Sequence, residues 1–136
     1  MFQKDYILRL IEEISKVLEK ALKLKNNNDF DSAKQVLNNA YENLLKIKKQ
    51  DFLHIPNQKL IELLQNTFDM DIKKIELLSK LLTEDANLET DYASKIKLSE
   101  KALFLLEHIS ETDKTFSFER INQIKQLKDN LSNSLQ

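Results

Sequence analysis

The stretch that decides the fold runs from Val17 to Leu45 and reads VLEKALKLKNNNDFDSAKQVLNNAYENLL. Apolar residues recur three and four positions apart on both sides of the polar break Asn26–Asn28, which is the spacing of one face of an α-helix. Asn adopts the left-handed backbone conformation more readily than other non-glycine residues, so it can end a helix in place of glycine. Asp29 can then cap the next helix. The stretch therefore predicts two amphipathic helices folded back on each other.

The composition favours an all-α fold. The chain has 136 residues, the size of one domain, with 41% hydrophobic and 32% charged residues. It contains no Gly and one Pro, which removes most of the turn chemistry that β-hairpins need. Short connections between helices can use Asn or Asp instead. We expect one helical domain over residues 1–136.

The charge balance and the missing residue types exclude several classes of function. The 21 basic and 22 acidic residues give a net charge of −1, whereas a nucleic-acid-binding protein usually shows a clustered basic excess. The densest basic run, Lys46, Lys48 and Lys49, is interpreted as a solvated helix end. Without Cys there is no thiol nucleophile, and without Gly there is no glycine-rich phosphate loop or nucleophile elbow. We expect no enzyme, no cofactor and no nucleic-acid partner.

The start of the chain predicts a cytoplasmic protein. Met1–Asp5 runs into a charged amphipathic segment, without the apolar core of a secretory signal peptide. No window approaches 18 consecutive apolar residues, so no transmembrane helix is expected.

The apolar pattern predicts a compact antiparallel bundle of five or six helices. The first hairpin spans about residues 3–48, a joint spans 49–57, and the second half spans about 58–133. The joint carries the only Pro, and its apolar side chains indicate packing against the bundle. The expected core residues are Ile7, Leu10, Ile14, Val17, Ala21, Leu24, Ala33, Val36, Leu37, Ala40, Tyr41, Leu44, Leu45, Leu60, Ile61, Leu63, Leu64, Phe68, Ile72, Ile75, Leu78, Leu81, Leu82, Ile96, Ala102, Leu103, Leu106, Ile109, Ile121, Ile124, Leu127 and Leu131.

The boundaries in the second half are less sharply encoded. Residues 57–86 form either one helix or two with a break near residues 69–71. Asn57 is expected to cap the first of these, and Asp71 the second, with Met70 and Ile75 as a hydrophobic staple. The last two helices begin near Asp91 and Ser117, and Phe116 and Ile121 are placed as a second staple.

A looser copy of the first hairpin follows it in the chain. Residues 17–22 match residues 77–82, Asp29-Phe30 matches Asp91-Tyr92, and Ala40 matches Ala102, although Lys95 stands where the first copy has Ala33. The positions Ala21, Leu24, Phe30, Ala33, Leu37 and Ala40 resemble the packing pattern of a tetratricopeptide helical hairpin. Asn28 and Leu45 depart from it, because that family favours Gly and Pro there. The resemblance implies two tetratricopeptide-like hairpins closed into a bundle.

Three further motifs stand out: the opening DYILRLIE (5–12), the turn NDFDSA (28–33) and the joint QDFLHIPNQKLIELL (50–64). Through these motifs the sequence resembles, over most of its length, an uncharacterised bacterial family of all-helical proteins. The resemblance implies a fold and no activity.

The ionisable residues give no metal or catalytic motif. His54 is interpreted as a partly buried hydrogen-bonding residue and His108 as a helix-end residue. The Glu-x-x-His spacing of carboxylate-bridged metal bundles is missing. The carboxylate pairs Glu12-Glu13, Asp69/Asp71 and Glu84-Asp85 fall mainly at expected helix ends, where capping explains them. We expect no metal site.

A possible interaction surface lies on the first helix. Tyr6 and Arg9 are its candidates for recognition, because the planar guanidinium of arginine suits carboxylates; an ion pair between Arg9 and a nearby Glu is the alternative. The residues expected to face a groove are Ser15, Leu18, Glu19 and Leu22, which lack the basic set that would clamp a peptide carboxylate. The leading hypothesis is a protein-interaction or scaffold module that binds a protein or peptide. The alternative is a homodimer formed through the first helix or through Phe104, Phe116 and Phe118, and an enzyme or metal-binding bundle comes third.

Overall fold

The computed structural model describes the backbone of residues 2–69 and 71–134, and the side chains of 8–67, 69 and 71–133. This part of the chain contains helices and no strand, so the prediction of an all-α bundle is confirmed. The helices are α1 (Phe2–Asn26), α2 (Phe30–Ala40), α3 (Lys49–His54), α4 (Asn57–Phe68), α5 (Ile72–Leu88), α6 (Tyr92–Thr112) and α7 (Phe118–Ser134), and a π-helical turn over Tyr41–Leu45 continues α2.

The described chain has seven α-helices, more than the five or six predicted. The joint forms the short helix α3, which was not expected. Residues 57–86 form two helices, because Asp69 takes a left-handed conformation (φ 51°) that ends α4.

The helix ends follow local capping chemistry at four of five predicted positions. Asn28 has a left-handed backbone conformation (φ 64°) in the turn between α1 and α2, as expected. The carboxylate of Asp29 accepts a hydrogen bond from the backbone N–H of Ser32 at 3.3 Å. Asp71 and Ser117 accept from the N–H groups three residues further on, at 3.0 and 3.2 Å. These bonds satisfy N–H groups that a helix start leaves without an intrahelical partner.

The prediction that Asn57 caps α4 is wrong. Pro56 holds the boundary position with an extended backbone (φ −71°, ψ 160°), and Asn57 is already the first helical residue. The fixed φ of proline places the boundary one residue earlier than the Asn side chain suggested. Met70, the predicted staple partner of Ile75, lies outside the described residues, as do the side chains of Ile7 and Phe68.

The helix α5 lies at the centre of the bundle. It packs against α6, α1 and α2, while α7 packs against α6. The core is one cluster of buried apolar side chains that includes Leu10, Ile14, Leu37, Phe52, Leu60, Ile75, Leu82, Ala102 and Leu106. Most predicted core positions are buried or pack against this cluster. Tyr41 and Phe52 pack ring against ring, with centroids 5.3 Å apart.

Ile121 is an error in the predicted core. Its side chain is 48% exposed, because α7 is the last helix and packs on the bundle mainly through α6. Phe116, its predicted staple partner, is 66% exposed and lies edge-to-face on Phe118 at 4.6 Å. The start of α7 therefore carries an exposed aromatic pair.

Candidate functional site

Three helices that are not consecutive in the chain line one concave face of the bundle. This groove has a volume of about 300 Å³. Its described lining residues all lie on α1, α5 and α7: Leu18, Leu22, Lys80, Thr83, Glu84, Asn87, Gln123 and Gln126. The first helix of each hairpin and the last helix of the chain thus meet at one surface.

The apolar wall of the groove comes from α1. Leu18 is half-buried against the core, and Leu22 is 51% exposed. The apolar stripe of α1 is wider than its contacts with α2 and α5 can cover, so its edge stays open to solvent. Ser15 and Glu19 are exposed on α1, outside the lining of this groove.

The opposite walls are polar and rich in amides. Asn87 on α5 and Gln123 and Gln126 on α7 each offer two N–H donors and a carbonyl acceptor. That combination matches the alternating N–H and C=O groups of a peptide backbone. The groove therefore combines hydrogen-bonding walls with a place for an apolar side chain.

The charged groups at the groove are already paired. Lys80 lies 2.6 Å from Glu119 of α7, and this hydrogen bond lowers the pKa of the Glu119 carboxyl. Glu84 lies 3.7 Å from Lys25 of α1. Exposed pairs of this kind contribute little to stability, about 0–1 kcal/mol. Their effect at the groove is to leave it without a strong excess of either charge.

Arg9, a second candidate on α1, does not line the groove. Arg9 is exposed, and it forms no ion pair with Glu12, Glu13 or another described carboxylate. The alternative interpretation of Arg9 as part of an internal ion pair is wrong within the described residues, because its side chain points to solvent. Tyr6 belongs to α1, but its side chain lies outside the described part.

A buried polar cluster ties α2, α3 and α5 together. Asp85 is fully buried, accepts a hydrogen bond from the Tyr41 hydroxyl at 2.6 Å and lies 3.0 Å from the Lys49 ammonium. Burial raises the pKa of Asp85, against the hydrogen bond from Tyr41 and the charge of Lys49. Burial and then the Asp85 carboxylate raise the pKa of Tyr41 well above its usual value. Neither side chain is exposed to solvent, so the contact between them serves to hold the fold together.

Glu89 extends this cluster to the turn between α5 and α6. It lies 2.8 Å from Lys49 and 3.1 Å from Lys34, and its carboxylate accepts from the N–H groups of Thr90 and Asp91. Burial opposes ionisation of Glu89, but the hydrogen bonds outweigh it and lower its pKa to about 2. This carboxylate therefore joins the first hairpin to the second.

The sequence interpretation missed this cluster. The sequence predicts Asp85 near a helix end, but the residue lies inside α5. The spacing of Leu78, Leu82 and Asp85 places it on the apolar face of that helix. That spacing was the available signal, since a carboxylate on a core face needs a buried cationic partner. The sequence pattern predicts that Lys49 is solvated, together with Lys46 and Lys48, and for Lys49 this prediction is wrong. Lys46 and Lys48 are exposed, whereas Lys49 is half-buried and paired.

Arg120 forms a second buried cation site. Its guanidinium binds the carboxylates of Glu76 on α5 and Asp113, the latter at 3.0 Å. Burial disfavours the charged form of Arg120, but the hydrogen bonds from it to the two carboxylates outweigh this and raise its pKa. This pair of contacts fixes the α6–α7 connection on α5 and thereby positions α7 beside the groove.

The two histidines do not form a site with each other. His54 is exposed rather than partly buried, because α3 is short and its last residue projects to solvent; its Nδ1 lies 3.1 Å from Lys97 Nζ. His108 lies four residues before the end of α6 and stacks on Phe104, with centroids 6.0 Å apart. In the described part of the chain no three His, Cys, Asp or Glu side chains converge as metal ligands.

None of the helices in the described ranges is long and apolar enough to cross a membrane. Compared with protein-family models, curated proteins and solved structures, the chain matches none.

Proposed function

We propose that this protein is a non-enzymatic interaction module that binds an extended segment of a partner protein in the α1/α5/α7 groove. The observation that carries the proposal is the composition of the groove, which sets Leu18 and Leu22 opposite amide side chains. Amides can bond a partner's backbone, and the leucines can bury an apolar side chain. The cytoplasm is the proposed location.

The arrangement of the helices supports a tetratricopeptide-like description. Each hairpin places its first helix, α1 or α5, at the groove, and the described lining residues do not include α2 or α6. Helical repeats commonly bind partners on such a shared concave face. The additional helices α3 and α4 between the two hairpins distinguish this chain from a regular array.

Partner capture with two matched variants tests the proposal. Leu22 and Leu8 both lie on α1 and are both 51% exposed, but only Leu22 lines the groove. Tagged wild-type protein, Leu22→Glu and Leu8→Glu would each be incubated with lysate of the source organism. We expect a partner that wild type and Leu8→Glu retain and that Leu22→Glu loses, because the new carboxylate is desolvated only in the groove.

The control is the fold of the variants. Both substitutions replace an exposed side chain, so the circular dichroism and thermal midpoint of the two variants should agree with wild type. A partner lost equally from both variants, or from neither, would contradict the groove as the binding surface.

A homodimer is the second candidate, favoured by the aromatic pair at the start of α7. Phe116 and Phe118 are 66% and 73% exposed and touch each other. Phe104, the other aromatic residue considered for this role, is half-buried against the core. Light scattering after size exclusion tests the dimer, since Phe118→Ser should then convert it to a monomer. A wild-type protein that stays monomeric at all concentrations would remove this candidate.

A further inference from the structure

A second concave surface lies on the joint, between the end of α3, the start of α4 and the middle of α6. It has a volume of about 410 Å³, within the range of small-ligand pockets. His54, Ile55 and Asn57 line one side, and Lys97, Glu100 and Lys101 line the other. We call this surface the joint pocket.

Lys101 is held at the floor of the joint pocket. Its side chain is only 6% exposed, and its ammonium donates to the carbonyl oxygen of Ile55 at 2.6 Å. The same nitrogen lies 5.6 Å from the centre of the Phe52 ring. An ammonium has three N–H donors, and the Ile55 carbonyl takes one of them.

Lys97 adds a second cation one helical turn away. Residues four apart on a helix are neighbours, so the two ammonium groups share this face of α6. Burial and then the charge of Lys97 lower the pKa of Lys101, and Glu100 acts in the opposite direction. Neither lysine forms an ion pair within 4 Å with a described carboxylate.

His54 and the start of α4 surround Lys97 at the joint pocket. Its Nζ lies 3.1 Å from Nδ1 of His54, which lines the opposite side of the pocket. The first turn of α4 begins at Asn57, and its start has no side-chain cap. Uncapped N–H groups at a helix start add partial positive charge beside the two lysines.

From the two lysines and the pocket that they line, we infer that the joint pocket binds a phosphate-sized oxyanion. The anion accepts hydrogen bonds from Lys97 and from a free donor of Lys101, and it relieves the repulsion between them. Glu100 also lines the joint pocket, and its carboxylate repels an anion, so the attraction comes from the two lysines. The site is separate from the α1/α5/α7 groove and does not depend on the function proposed for it.

Titration with inorganic phosphate tests the assignment on the intact protein. Amide and side-chain NMR signals of His54, Asn57 and Lys97 would be followed against sodium chloride at matched ionic strength. We expect saturable shifts with phosphate that chloride does not reproduce. Lys97→Gln should weaken phosphate binding about tenfold, the effect of one charge-assisted hydrogen bond.

Two further variants keep the test decisive. Lys125→Gln removes the same charge from an exposed position on α7 and should leave phosphate binding unchanged. Lys101→Met, provided that this variant folds, should abolish the saturable phosphate shifts. If it does not fold, the Lys97→Gln variant still tests the inference. Shifts that fail to saturate, or equal weakening by Lys97→Gln and Lys125→Gln, would overturn the inference, because only nonspecific charge screening would then remain.

Discussion

The two hairpins, α1/α2 and α5/α6, repeat one local pattern in two different surroundings. Asp29 and Asp91 each cap the second helix by accepting from the N–H group three residues on, at 3.3 and 3.1 Å. The next residues, Phe30 and Tyr92, are both about half exposed. At this level the second hairpin copies the first.

The hairpins differ in position. The described part of α1 buries Leu10, Ile14 and Ala21, whereas α5 has nine buried residues, among them Lys74, Ser79 and Asp85. The first hairpin is an edge of the bundle and the second is its centre. The polar side chains of α5 are therefore buried because other helices pack around it, and not because of the hairpin pattern itself.

The largest expected effect comes from removing the carboxylate at the centre. Asp85→Ala leaves the buried Tyr41 hydroxyl without its acceptor and removes one of the two carboxylates that pair with Lys49. Breaking one side of a buried pair costs about 3–5 kcal/mol, so we expect a loss of that size in the free energy of unfolding, measured by urea denaturation.

The control for Asp85→Ala is the same substitution at the neighbouring carboxylate, Glu84. Glu84 lies beside Asp85 on α5, is about one-third exposed and pairs with Lys25 at 3.7 Å. Glu84→Ala should change the free energy of unfolding by less than about 1 kcal/mol. Equal costs for the two variants would show that Asp85 is not a buried link between the hairpins.

Exchanging Ala33 of the first hairpin and its counterpart Lys95 of the second should change the free energy of unfolding by unequal amounts. Ala33 is fully buried, and its counterpart Lys95 is half-buried. Ala33→Lys forces a long cation into the contact between α1 and α2 and should cost at least about 2 kcal/mol, whereas Lys95→Ala should cost less than about 1 kcal/mol. Thermal and urea unfolding of both variants measure this, and similar costs would mean that the hairpins occupy equivalent positions.

Acid should weaken the contact between the hairpins through Glu89. Its pKa is about 2 in the folded protein against a usual 4.5, so the ionised form stabilises the fold above about pH 4.5. That contribution disappears as the pH falls toward 2, while the raised pKa of Asp85 acts in the opposite direction. Between about pH 5 and about pH 2.5, wild type should lose about 2 kcal/mol more stability than Glu89→Gln.

Glu19→Gln is the matched control for this pH dependence. Glu19 is exposed on α1, so this variant should keep the acid sensitivity of wild type. An unchanged pH profile in Glu89→Gln would contradict the role of the Glu89 carboxylate at the turn.

The smallest effect concerns the two turns. Asn28 is left-handed, whereas Glu89 has φ −73° and the second turn has no described residue with positive φ. Asn28→Gly should therefore raise the free energy of unfolding by about 0.5 kcal/mol, while Thr90→Gly should lower it by a similar amount. Stabilisation by glycine in both turns would show that they do not differ in backbone conformation.

The fold was largely predictable because its signals are local. The apolar spacing on α1 and α2, the absence of glycine and the side chains of Asp29, Asp71 and Ser117 act within a few residues of their own positions. The short helix α3 was missed because six residues show less than two turns of periodicity. The start of α4 was misplaced because the Asn57 side chain and the fixed φ of Pro56 predict different boundaries.

The candidate site was less predictable because it is formed across the chain. The spacing on α1 identified Leu22, but Gln123 and Gln126 come from a helix about 100 residues later, and nothing local to α7 marks them as groove residues. Asp85 and its partner Lys49 are separated by 36 residues. Pairings at such distances depend on tertiary packing, which composition and periodicity do not specify.

The most direct test of the central proposal is NMR of the leucine methyl groups during titration with the captured partner. We predict saturable shifts at Leu18 and Leu22, which line the groove, with no change at Leu8 on the same helix. Shifts at Leu8 or at the Phe116–Phe118 pair, with Leu18 and Leu22 unchanged, would contradict binding in the α1/α5/α7 groove.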